Sequence, residues 1–487
     1  MRGEGMCLVV GGLHLGREKL VRMMLTGKHR GPDSFGVWAD GSVFKSSNFS
    51  DLDDVPSGKI VLAQCRLAMT GSKDFTQPFY NDLVLVHNGE IYNHIQLRAY
   101  LVERGHSFES DVDSEVILKL LEHLLFDKGL SVEEAVRKAM LMLNGDYAVA
   151  FFDGQRIYLF RDPLGIRPLY YSPNGFFASE KKVLWAIGEE AIPVRPGELV
   201  EVAEGGIKRF QLVNPLSFSG KLFTEERALK GILNVLPHAT RIRTTKRTGV
   251  LFSGGLDSSL IALLAARYSD ITLYAAGTED SPDIEGARRV ADELGLPLKE
   301  FIFTREDVEE ALPKVAFAIE EPNAVNLAIA IPIYFATLLA REDGVKVLLS
   351  GQGADELFGG YAKYLQRPEL MERDILEMGE RNLARDDKVS MLNGVEVRYP
   401  YLDPAVVRVA IRTPLELKIK EGIRKLILRR AAEQLGLPRE VAWKEKKACQ
   451  YGSRSQKLLE KIAKARGTTL RGLAEMLFSE TFQRSTA

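Results

Sequence analysis

The chain has 487 residues, 45% hydrophobic and 27% charged, with a mean hydropathy of -0.09. At about 150 residues per domain this predicts two to three soluble domains and excludes collagen-like, disordered and membrane-embedded classes. The formal net charge of -1 excludes a uniformly basic nucleic-acid binder, although residues 401–487 carry an excess of +10 and the remainder -11.

In chain order, the first 210 residues alternate short strand-like runs with helical patterns. The expected strands are 8–10, 59–63, 83–86, 147–152 and 157–160, and the helices 94–104, 114–125 and 132–143. The polar run 214–220 (NPLSFSG) reads as a boundary. Beyond it the rhythm is strand then helix: strands at 250–252, 272–276, 299–304 and 345–349, with helices at 258–268, 284–294 and on through 340. That alternation predicts a parallel, doubly wound sheet whose ligands bind beyond the carboxyl ends of its strands. From about 371 the chain reads as helical. The apolar stretch 324–340 falls short of the roughly 20 residues of a membrane span and contains Asn326 and Pro332, so it is expected to be a buried helix. Three cysteines without a CxxC pair fit a reducing compartment. No signal-peptide core is evident near residue 1, so a cytoplasmic location and no membrane partner are expected.

The sharpest signal is Ser253-Gly254-Gly255-Leu256-Asp257-Ser258-Ser259, set between an apolar strand and a helix. Glycines permit close approach of backbone to ligand, and the helix start offers free N–H groups to an anion. Asp257 would repel a bare phosphate, which points to a bridging Mg²⁺. No GxxxxGK[ST] loop occurs. The heptapeptide resembles the pyrophosphate loop of ATP pyrophosphatases, which activate a carboxylate or carbonyl as its adenylate. Ser350-Gly351-Gln352-Gly353-Ala354-Asp355-Glu356, with Phe358-Gly359-Gly360-Tyr361, narrows the resemblance to the asparagine synthetase family and its β-lactam synthetase relatives. By that resemblance Phe252, Ser253, Gly254, Gly255, Asp257, Ser258, Ala276, Gly277, Ser350, Gly351 and Lys446 bind ATP. Asp257 and Asp355 hold Mg²⁺, Glu396 (in a GVExRxPFLD-like run) lies near the acceptor, and Lys446 stabilises the departing pyrophosphate.

The first half resembles a class II glutamine amidotransferase domain. Glutamine hydrolysis needs a thiolate nucleophile, a base, an oxyanion hole and a clamp for the substrate's α-groups. If translation starts at Met6, removal of that methionine exposes Cys7, whose α-amine can serve as the base. Leu8 stands where the family has glycine. Arg30-Gly31-Pro32-Asp33, Arg66-Leu67-Ala68, His87-Asn88-Gly89-Glu90-Ile91-Tyr92-Asn93, Asp113-Ser114-Glu115, Arg161-Asp162-Pro163 and Phe177-Ala178-Ser179-Glu180-Lys181 follow in family order. The resemblance implies Cys7 as nucleophile and Asn88 with Gly89 as the oxyanion hole. It implies Arg66, Leu67, Glu90 and Asp113 around glutamine, with Arg66 on the carboxylate and Asp113 on the α-ammonium.

Together these imply an N-terminal-nucleophile αββα sandwich over 7–213. An ATP-pyrophosphatase domain of doubly wound parallel-sheet type, with a helical C-terminal part, follows over 221–487. Glutamine, aspartate and ATP are the expected small-molecule substrates, no nucleic acid is expected, and a homodimer is compatible with the sequence. Two positions depart from the family. Gln352 replaces a glutamate, and residues 325–330 lack the arginine expected to clamp the aspartate α-carboxylate. Other readings are therefore carried: the same chemistry on another carboxylate or a tRNA base, or a non-catalytic glutamine or nucleotide sensor.

Overall fold

The computed structural model describes residues 7–67, 76–217, 222–444 and 449–482. Two compact units result. Of the described residues, one comprises those from 7 to 215 together with Gly379–Ala384, and the other those from 216 to 378 and from 385 to 482.

In the first unit, side chains alternate along each strand, and that period of two builds four layers. Val9 faces the interior between the sheets, whereas Leu8 and Val10 face helices Arg17–Gly27 and Lys181–Trp185. Ala148 and Ala150 likewise point between the sheets, while Tyr147, Val149 and Phe151 pack beneath helices His94–Val102, Asp113–Glu122 and Val132–Met142. One sheet has seven strands and the other six, all neighbours antiparallel. Buried strands run longer than their apolar cores suggest. The strand expected at 83–86 is Val84–Ile91, and it carries the polar run from His87 to Glu90 inside the sheet. The helix expected at 114–125 is Asp113–Glu122, continued by one π-helical turn, His123–Asp127.

The second unit holds a five-stranded parallel sheet in the order Leu298–Ile302, Asp270–Gly277, Arg247–Leu251, Val347–Leu349, Glu396–Arg398. The fifth strand was not expected from the sequence. It is only three residues long and lies within a helical stretch, so neither length nor periodicity marks it. The chain order reverses direction across Arg247–Leu251 and Val347–Leu349. A crevice at their carboxyl ends is the place such a sheet offers a ligand. Helix Ala324–Glu342 is long and apolar enough to cross a membrane. Its Leu327, Ala330, Ile331, Tyr334 and Phe335 are buried in this unit, as a packed core helix requires.

A buried ion pair ties this unit's entry helix to the segment after the last strand. Arg243 Nη1, at the end of helix Glu225–Arg243, donates to Asp403 Oδ2 at 2.8 Å. The other Asp403 oxygen caps helix Pro404–Arg412 by accepting from the Ala405 amide at 2.9 Å. Removing one partner strands a buried charge, which costs about 3–5 kcal/mol. Arg243→Met should therefore lower the unfolding free energy of this unit by that amount in urea titration, whereas Arg241→Met on the exposed side should change it little.

Candidate functional sites

In the first unit Cys7 immediately precedes the strand Leu8–Leu15 and is fully buried. Leu8 pairs with Cys65, so continuing that register by one residue sets Cys7 opposite Arg66. The Cys7 amide donates to Asn88 Oδ1 at 2.9 Å, and its carbonyl accepts from Arg30 Nε at 3.3 Å. Arg30 is in turn held by Glu180 at 2.9 Å. Lys182 and His29 also lie on that carboxylate, at 2.6 and 3.1 Å. Burial alone would raise the pKa of Glu180, but the cations of Lys182, His29 and Arg30 hold it well below the usual carboxylate range. An ionised Glu180 thus locks the guanidinium that grips residue 7. The sequence motifs marked Arg30 and Glu180 without giving them this task.

Asn88 spends its oxygen on Cys7 and keeps Nδ2 buried without a hydrogen-bond partner among the described residues. A donor so placed suits a developing oxyanion. Gly89 has φ +144°, and a Cβ there would fall 1.9 Å from the Asp146 carbonyl, so only glycine fits. Asp113, fully buried at a helix start, accepts from the Ile91 amide at 2.8 Å, two residues beyond Gly89. Arg66, Leu67 and Glu90 are buried too. Cys65 belongs to the hydrophobic core, and burial pushes its thiol up, away from nucleophilic use.

In the second unit a cavity of about 300 Å³ opens at the crevice expected from the strand order. Phe252, Ser253, Gly255, Asp257, Ser258, Ala276, Ser350, Gly351, Gln352 and Asp355 all line it. Asp257 lies in the first turn of helix Leu256–Ala265, and Asp355 in that of Ala354–Phe358. Gly254 has φ +63°, and a Cβ would fall 2.3 Å from the Gly286 carbonyl. Gly277 ends its strand against Ser281, where a Cβ would meet the hydroxyl at 2.5 Å.

Lys425 supplies a cation in this cavity that no sequence motif marks. Lys425 Nζ lies 2.7 and 2.6 Å from the two Asp257 oxygens and 2.6 Å from Asp355 Oδ1. Both carboxylates thus converge on one point. Gly360 makes room for it, since a Cβ there would strike Asp355 Oδ1 at 1.8 Å and Lys425 Cε at 2.2 Å. Lys444 also lines the cavity, its Nζ 3.5 Å from the Gly254 carbonyl. Lys446 lies outside the described residues. Arg385 supplies a guanidinium in the lining. Its Nε donates to Asp386 at 2.8 Å and its Nη1 to Asn326 Oδ1 at 2.9 Å. Asn326 sits in the very stretch, 325–330, where an arginine was expected.

Glu396 is not in the cavity lining; it is fully buried in the strand Glu396–Arg398 and accepts from Arg398 Nε at 2.9 Å. Its carboxylate pairs with Arg398 within the sheet edge.

The asparagine synthase family model matches residues 233–371 and 366–484, and a glutamine amidotransferase domain model matches 6–203. A putative glutamine-hydrolysing asparagine synthetase of Methanocaldococcus jannaschii is 36% identical, over 94% of this chain and 94% of its own length. The chain belongs to the glutamine-hydrolysing asparagine synthetase family. A probable asparagine synthetase of Dictyostelium discoideum is 32% identical over 88% of this chain and 81% of its own, and one from Zea mays 31% identical over 88% and 74%. The two family models together span both units.

Acid should weaken the amidotransferase unit through His87. Burial, helped by the charge of Arg167, pushes its pKa down to about 3 from 6.5. Between those values the unfolded chain binds a proton that folded His87 refuses. Stability from this group is therefore present above pH 6.5 and lost as pH falls towards 3, by at most about 1.4 kcal/mol per pH unit. Urea midpoints at pH 7 and 5 should differ less in His87→Gln than in the parent.

Proposed function

We propose that this chain makes asparagine from aspartate, glutamine and ATP, releasing glutamate, AMP and pyrophosphate. The observation that carries the reading is the charge pattern of the second unit's cavity. Two carboxylates share one cation beside a glycine turn at a helix start, and a guanidinium stands in the same lining.

Cys7 Sγ attacks the side-chain carbonyl of glutamine. With Cys7 as the first residue of the processed chain, its α-amine takes the thiol proton and returns it to the leaving nitrogen. Ammonia departs and a thioester remains, which water hydrolyses to glutamate. Asn88 Nδ2 and the Gly89 amide stabilise the oxyanion, Arg66 binds the glutamine carboxylate, and Asp113 its α-ammonium. Leu67 and Glu90 complete the glutamine pocket.

In the second unit the β-carboxylate oxygen of aspartate attacks the α-phosphorus of ATP, and pyrophosphate leaves. Ammonia then attacks the acyl carbon, and AMP departs with the bridging oxygen. The residues fit a divalent cation, because Asp257 and Asp355 already converge on a single positive atom. They would hold Mg²⁺, which supplies neutralising charge to the triphosphate when bound. The turn at 253–258 and Ser350-Gly351 receive phosphate oxygens, and Ala276 with Gly277 borders the adenine. Lys444, Lys446 and Lys425 favour the charge that grows on pyrophosphate.

Arg385 answers the arginine missing from 325–330. Its three observed contacts, to both Asp386-directed nitrogens and to Asn326, leave two of its five N–H donors for a substrate carboxylate. We assign it to the α-carboxylate of aspartate.

The reading is tested by pyrophosphate release. The parent should release it with aspartate and either nitrogen source. Cys7→Ala should lose the glutamine-dependent reaction and keep the ammonium-dependent one. Arg385→Lys should raise KM for aspartate about tenfold or more, with little change in KM for ATP. Absence of aspartate-dependent release with both nitrogen sources would contradict the assignment.

A further inference from the structure

Three metal-ligating atoms that neither site uses meet on the helical face of the amidotransferase unit. His106 Nε2 lies 3.1 Å from His123 Nδ1 and 3.0 Å from Asp127 Oδ2. His123 Nδ1 lies 2.8 Å from the same Asp127 oxygen. Every edge of this triangle is short, and all three atoms belong to groups that bind borderline metals.

Local structure explains the convergence. Helix Asp113–Glu122 ends in the π-helical turn His123–Asp127, closed by the Lys128 amide donating to the His123 carbonyl at 3.1 Å. Residues four apart share a face there, so His123 and Asp127 point the same way. His106 comes from the loop after helix His94–Val102, fixed by its amide on the Leu101 carbonyl at 3.2 Å. Single π-turns inside helices recur at functional sites. The His123 side chain is 3% exposed and that of His106 15%, while Asp127 at 50% opens the cluster to solvent on one side.

We propose that His106, His123 and Asp127 form a Zn²⁺-class metal site with water as the fourth ligand. Two imidazoles select against Mg²⁺ and Ca²⁺, which prefer oxygen. Ligand atoms about 3 Å apart can each stand roughly 2.0–2.1 Å from an ion placed just off their plane. Binding needs His106 protonated on Nδ1 and His123 on Nε2, so that the facing nitrogens both offer lone pairs. The neighbouring imidazoles hold the Asp127 carboxyl below the usual carboxylate range, with the His123 hydrogen bond as the largest cause. His123 Nε2 has no hydrogen-bond partner among the described residues. The affinity should accordingly fall about 10–100-fold below sites whose imidazoles are buttressed. The ion would staple the end of one helix to the turn that closes the next. The second helix starts with Asp113, ten residues or about 15 Å from His123, so the staple acts on stability rather than on chemistry.

The test is cobalt titration of the full chain after chelator stripping. One Co²⁺ per chain should bind with the visible absorption of a four-coordinate ion and without a sulfur charge-transfer band, and Zn²⁺ should displace it. His106→Gln and Asp127→Asn, both on the open side of the cluster, should each weaken binding at least about tenfold. Both should also lose the metal-dependent rise in melting temperature, with far-ultraviolet dichroism and ammonium-dependent pyrophosphate release unchanged. Binding that survives both substitutions, a sulfur charge-transfer band that reports Cys7, Cys65 or Cys449, or no stoichiometric uptake would each overturn the proposal.

Discussion

The synthetase unit is organised around the repulsion between Asp257 and Asp355. Two carboxylates that approach one point in a mostly buried crevice repel each other unless a cation stands between them. Lys425 supplies it, with contacts of 2.6–2.7 Å to each side. Much of the surrounding sequence serves that meeting. Parallel strands bring the two helix starts together, Gly360 leaves the room the lysine needs, and Lys425 itself takes φ +58° at the cap of helix Leu426–Gln434. The same convergence suits the site to polyphosphate, since a pair of carboxylates ready for one cation is ready to share another.

The amidotransferase unit meets a different constraint, which is to hold a residue that precedes its first strand. It does so through the backbone. Asn88 takes the Cys7 amide, Arg30 takes its carbonyl, and Glu180 fixes Arg30. The cost of burying Glu180 is offset by three cations rather than by solvent. Asn88 therefore anchors residue 7 through its oxygen while its buried nitrogen keeps no hydrogen-bond partner among the described residues.

The parallel sheet was legible because strand–helix rhythm survives in the sequence, and the four-layer sandwich through the family resemblance of its motifs. So were the glycine turns, whose residues can be recognised without neighbours. What escaped was set by tertiary contact. Lys425 sits in a basic tail and reads as solvated; only the fold carries it to Asp257, 168 residues away. Arg385 reaches Asn326 across 59 residues, so an arginine sought on one helix arrives from another. Glu396 is the converse case: its motif was visible, but not that Arg398, two residues on, would pair with its carboxylate. The π-turn at His123 was hidden within an unbroken helical pattern.

The central claim is that aspartate is activated as an acyl adenylate, and oxygen transfer tests it most directly. With aspartate labelled by ¹⁸O in its β-carboxylate, the bridging oxygen must leave with AMP when ammonia attacks the acyl carbon. Mass spectrometry of the products should find one ¹⁸O in each AMP formed and none in pyrophosphate. Unlabelled AMP formed alongside asparagine would contradict the adenylate and the account built on it.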